Sequence, residues 1–134
     1  MAEVIGIDVY VEVNTGTEAS PVWTKVGGQR GATLTLNVDT AEITDKDSQG
    51  WREYLPTLKS WTLEFENFYI DDDAGVLELR NAFLNKEKKQ VRLKTANETY
   101  TGYAYVTSFP VEAPLDDVVT ISFSLQGTGP LTIA

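Results

Sequence analysis

A period-two alternation of apolar and polar residues recurs along this chain, and no other feature of it restricts the fold as much. From Ile5 to Val13 every odd position is apolar (Ile5, Ile7, Val9, Val11, Val13), while the even ones are Gly6, Asp8, Tyr10 and Glu12. Leu34, Leu36 and Val38 alternate with Thr33, Thr35, Asn37 and Asp39, and Trp61, Leu63 and Phe65 alternate with Thr62, Glu64 and Glu66. Val119, Ile121, Phe123 and Leu125 complete the series. Successive side chains of a strand point to opposite faces, so each segment is a strand with its apolar row turned inward and its polar row toward water. Antiparallel sheets tolerate one wet face, and 134 residues bury a sufficient core beneath the other without disulfides or metal. One domain spanning 1–134 is expected.

Other elements fill the gaps. The small polar run Asn14 to Pro21 followed by Val22 to Val26 and Gly27-Gly28 predicts a hairpin with a short second strand. The strand through Trp61 continues to Phe68 and Tyr69 with a register break at Asn67. A single helix is predicted over Ala74 to Lys86, with Val76, Leu77, Leu79, Phe83 and Leu84 on one broad face. Asp71, Asp72 and Asp73 suit its positive start and Lys86, Lys88 and Lys89 its negative end. Val91 to Thr95, Tyr100 to Phe109 and Val118 to Gln126 bring the tally to about seven strands. Thr44 to Thr57 (TDKDSQGWREYLPT) has no sustained period and reads as a long loop, in which Trp51, Tyr54 and Leu55 argue against simple disorder. The tail Gly127 to Ala134 either pairs as an edge strand or reaches a neighbour.

Composition excludes much chemistry. Cysteine and histidine are both absent, which removes thiol nucleophiles, imidazole bases, disulfides and the usual zinc and haem ligands. The net charge of −9 opposes duplex DNA binding, which needs a basic footprint. The glycines of VGGQRGAT precede a strand and not a helix, so they make a turn and not a phosphate cradle. Asp71 to Asp73 with Glu78 lack EF-hand spacing, and capping explains them better. Glu64, Glu66 and the Asp116-Asp117 pair supply carboxylates, but nothing in their spacing indicates a cleft with two of them facing each other. The basic run Lys86 to Lys94 has no aromatic interleaving and reads as a solvated face or an inter-subunit charge pairing. Catalytic residues, bound metal and cofactor are therefore all expected to be none. The acidic, alternating start predicts no export signal, and no apolar run approaches the roughly 20 residues of a membrane-crossing helix. Asn97-Glu98-Thr99 matches a glycosylation sequon that has no meaning without export.

The order GATLTLNVDTAEI, a polar loop ending in WREYLPTLKSW, an aromatic-rich strand, an aspartate-led helix and the closing YTGYAYVTSFPVEAPLDDVVTISFSLQGTGPLT resembles the phage major tail protein, the tail tube subunit of long noncontractile-tailed phages and related gene transfer agents. The resemblance covers nearly the whole chain. It implies a mainly β fold with one α-helix: an antiparallel β-sandwich or barrel-like tail tube domain with a flanking helix and a long inter-strand loop. It further implies homo-hexameric rings stacked into a hollow tube in the virion tail, made in the host cytoplasm, through which DNA passes without specific binding and without a membrane partner. A tape-measure protein, a tail terminator and a distal tail protein are the implied partners. Lumen candidates are Thr33, Thr35, Asn37, Asp39, Thr62, Glu64 and Glu66, because an acidic wall repels the phosphate backbone. The loop 44–57 resembles a ring-stacking arm, with Asp45, Lys46, Asp47, Trp51, Arg52, Tyr54 and Leu55 as its contact residues and Trp51 and Tyr54 as anchors. Two alternatives are a carbohydrate-binding or adhesion β-module using Trp51 and Tyr54 as a platform, and a tube subunit of a contractile injection system.

Overall fold

The computed structural model describes residues 9–27, 29–70 and 73–134. The elements run β1 (Tyr10–Asn14), β2 (Trp23–Lys25), β3 (Gln29–Glu42), a 3-10 turn (Lys46–Ser48), β4 (Tyr54–Phe68), α1 (Ala74–Asn85), β5 (Lys89–Lys94), β6 (Thr99–Ser108), β7 (Val111–Glu112) and β8 (Thr120–Ile133). They form one eight-stranded sheet in the order β2-β1-β5-β6-β8-β4-β3, with β7 beside β8. Every pairing is antiparallel. The mainly β fold with one helix is thus as expected from the alternation.

The inward rows of the strands meet in one core. Val11, Val13, Leu63, Phe65, Val91, Ile121, Phe123 and Leu125 are buried together, and Val76 and Leu79 of α1 join them. Phe65 and Phe109 flank Phe123 with ring centroids 5.3 and 5.7 Å away, and Phe83 meets Phe109 edge-on at 4.9 Å. Burying each such side chain stabilises the fold by about 1.5–3 kcal/mol. Asp73 caps α1 by accepting from the Val76 N–H at 3.1 Å, and it also accepts from the Gly27 N–H at 3.2 Å. The helix is thereby tied to the turn after β2. At its other end Lys86 is left-handed (φ 56°), which lets the chain leave toward β5.

Among the described residues the sheet is not closed, but its two ends approach each other where β3 begins. The Gln29 side chain accepts from the Val11 N–H at 2.8 Å and donates to the carbonyls of Val11 at 2.8 Å and Val26 at 2.7 Å. A carboxamide has both a donor and an acceptor, so it can take the place of a peptide group where no strand fits. On the other side of β1 the Glu12–Arg92 pair, at 2.7 Å, lies partly buried beneath Trp23, whose ring faces the guanidinium at 4.3 Å. This cover explains why both rows of β1 are sheltered, where alternation alone predicts only one.

Several expectations change. Tyr54 to Thr57 belong to β4 and pair with β3 through Glu42↔Tyr54, Ala41↔Leu55 and Thr40↔Pro56, so the loop is 43–53 and not 44–57. Leu36 and Val38 lie on the inward row but are 54% and 51% exposed, because β3 and β4 run past the end of the core at that point. Leu84 is exposed and Phe83 is 38% exposed, so the buried helical face is narrower than the sequence suggests. The break expected at Asn67 falls on the opposite strand, where the register shifts between Gln29 and Gly31. Gly127 to Ile133 continue β8 against β6, with Thr101↔Thr132 and Tyr100↔Ile133 in register, and β7 raises the strand count among the described residues to eight. Ile5 to Asp8, Gly28, Asp71 and Asp72 lie outside the described residues.

Candidate functional site: assembly surfaces

Two surfaces stand out once the core is accounted for. The first is the polar face of β3, β4 and β8. Register places Thr33 opposite Glu64, Thr35 opposite Thr62 and Asn37 opposite Ser60. Across β4, Gln126 faces Thr62, Ser124 faces Glu64 and Ser122 faces Glu66. Directly opposed residues share a face, so six of the seven lumen candidates stand side by side on one wall. Asp39 falls in the irregularity between Val38 and Thr40, where register sets no residue of β4 directly opposite it, and its carbonyl accepts from the Thr57 hydroxyl at 3.0 Å. Arg30 also reaches this wall, held by Glu66 at 2.9 Å, beside an open depression of about 570 Å³ lined by Thr33, Glu64, Ser122 and Ser124. Ser122, Ser124 and Gln126 are not among the sequence-derived candidates, although their even positions, alternating with Ile121, Phe123 and Leu125, mark the same face.

The second surface is an arm made by the distal halves of β3 and β4 with the loop between them. Its tip is ordered by its own hydrogen bonds. Asp45 accepts from the Asp47 N–H at 2.9 Å, and the Ser48 hydroxyl accepts from the Asp45 N–H at 3.1 Å and donates to Glu53 at 2.9 Å. The Ile43 N–H donates to the Glu53 carbonyl at 2.9 Å and closes the base. Lys46 and Asp47 lie in the 3-10 turn, Trp51 and Arg52 follow it, and Tyr54 and Leu55 open β4. Trp51 is 77% exposed, and Tyr54, Leu55 and Leu58 are also exposed. An arm braced by these bonds, with its large apolar groups held out in water, is suited to contact with another protein surface.

The chain matches the family described as "Phage tail tube protein" over residues 3–133. It belongs to that family. No curated protein sequence matches it. Among solved structures, the tail of an empty gene transfer agent particle, refined with C6 symmetry, is similar with a TM-score of 0.85 at 19% identity, covering 97% of this chain and 98% of the other. The SPP1 tail tube is similar with a TM-score of 0.79 at 20% identity, covering 98% and 78%. The sheath-tube complex of the PVC extracellular contractile injection system is similar with a TM-score of 0.70 at 16% identity, covering 98% and 91%. At these identities the likeness is one of fold.

A phage tail tube protein is a structural component of the virion tail that assembles with copies of itself, which accounts for a chain with a polar wall and a projecting arm. The carbohydrate-module and contractile-system alternatives are not favoured by this membership. The tail tube protein also carries an apolar surface that alternation could not indicate: Val111, Leu115 and Val118 are exposed in and around the connection from β7 to β8. Leu115 is 98% exposed.

Proposed function

We propose that six copies of this chain close into a ring, that rings stack into a hollow tube, and that the wall of β3, β4 and β8 lines the lumen. The observation that carries this reading is the alignment of Thr33, Thr35, Thr62, Glu64, Ser124 and Gln126 on one face of three adjacent strands. A hydroxyl-rich wall bearing carboxylates offers DNA little to bind and repels its phosphates, so the duplex slides. Arg30 leaves that property intact because Glu66 neutralises it. The arm engages the adjacent ring through Trp51 and Tyr54, and Asp45, Lys46, Asp47 and Arg52 set its register. Ring contacts close by rotation while stacking contacts stay open, which produces a tube of indefinite length. A tape-measure protein inside the lumen, and terminator and distal tail proteins at the tube ends, complete the assembly. The chain acts as one domain and performs no reaction.

Negative-stain electron microscopy of the purified protein over a concentration series, with Trp51→Ala in parallel, tests this. Rings or hollow tubes are expected from the parent and unstacked subunits from the variant, with equal thermal stability because Trp51 is exposed. Tubes of unchanged length from Trp51→Ala would remove the arm from stacking.

A further inference from the structure

The connection from β7 to β8 presents Leu115 with almost its whole surface in water, and Val118 beside it is 54% exposed. A hydrogen bond of 2.8 Å from the Tyr69 N–H to the Val119 carbonyl fixes this connection to the end of β4. A cleft of about 650 Å³ opens at the base of the arm, lined by Leu36, Val38, Leu58, Trp61, Pro130 and Leu131. The strand register locates the two features. β4 and β8 pair from Phe68↔Thr120 to Thr62↔Gln126; the Leu115 loop leaves from the first end, and the cleft lies beyond the second. Knob and cleft therefore occupy opposite ends of the same pair of strands.

We infer that the Leu115 loop of one copy seats in the arm-base cleft of the next copy, head to tail along the strand direction. This rests on the tube reading and supplies a knob and a receiving surface for ring stacking. Charge supports the pairing: Val111 to Thr120 carry Glu112, Asp116 and Asp117 and no basic residue, whereas Lys59 is the one charged residue among those described as lining the cleft. The shape of the contact supports it too. Two different patches on one chain meet heterologously, and when they sit at opposite ends the contact propagates as a filament and does not close into a dimer. The knob rim is acidic and the cleft apolar, so isolated subunits gain nothing from pairing knob with knob.

The chain has no cysteine, which makes cross-linking a clean test. In assembled material, Leu58→Cys combined with Leu115→Cys is expected to give a ladder of disulfide-linked oligomers on non-reducing gels. Each single substitution is expected to give none. Leu115→Asp is expected to keep the parent's melting temperature and to raise the concentration needed for filaments at least about tenfold, as losing one buried leucine would. Lys59→Glu should do the same, and adding Asp116→Lys and Asp117→Lys should restore assembly. If the parent forms filaments and Leu115→Asp forms them equally well without a cysteine ladder, the inference is overturned and the tube reading stands. If the parent forms neither rings nor filaments at any concentration, both fall.

Discussion

At the scale of single residues, the tightest constraint is the slot that holds Trp61. Its indole lies across β8 and β6 where both strands carry glycine, and its N–H donates to the Gly129 carbonyl at 3.3 Å. A Cβ added at Gly127 would sit 2.1 Å from the Trp61 ring, and one at Gly102 would sit 2.6 Å from it. Gly127→Val is therefore expected to lower stability by about 1–3 kcal/mol, the usual cost of overpacking, measurable as a lower urea midpoint. The slot also shows what a sequence can and cannot disclose. Alternation identifies Trp61 as inward, but Gly127 reads only as the opening of a tail, since the reason for a glycine there is a side chain more than sixty positions away. Asp73 is similar. Its capping role is legible from its place before an apolar helical run, whereas its bond to Gly27 is not, because that contact depends on the packing of α1 against the turn after β2.

At the scale of elements, β1 and β3 are joined through one side chain, and this seam carries a second prediction. Gln29→Leu removes three hydrogen bonds and leaves the Val11 N–H and the Val26 carbonyl without that partner in a sheltered place, whereas the Val11 carbonyl keeps its bond from the Val26 N–H at 3.2 Å. A cost of about 2–4 kcal/mol is expected from urea denaturation, with faster amide exchange at Val11, since unsatisfied buried groups cost more than the bonds they made. The base of the arm carries no strand signal in the sequence for a related reason. Burial of one face is what usually imposes a period on a strand, and neither face of Tyr54 to Thr57 is covered within one chain, so that segment carries none. The polar wall was legible because its opposite face is core. Ser48→Ala should loosen the arm tip without touching the core: faster proteolysis between Ile43 and Tyr54 is expected, with the global melting temperature unchanged, because the hydroxyl joins only Asp45 and Glu53.

For the whole molecule, the question is which face turns toward the axis of the tube, and charge supplies a test that folding does not confound. Glu64 stands exposed in the middle of the polar wall, opposite Thr33 and Ser124, so Glu64→Lys should alter stability by no more than about 0.5 kcal/mol. In a ring the substitution is repeated by every subunit at one height, which turns a weak change into a belt of positive charge. Tubes of the variant incubated with short duplex DNA are expected to show density along the lumen by cryo-electron microscopy at about 50 mM salt. That density should be largely lost at about 200 mM, as counterion release requires. Parent tubes should stay empty under both conditions. Density on the outer surface of the variant would mean that the wall of β3, β4 and β8 faces outward, and the hydroxyl and carboxylate rows would then have to be explained as a solvated exterior.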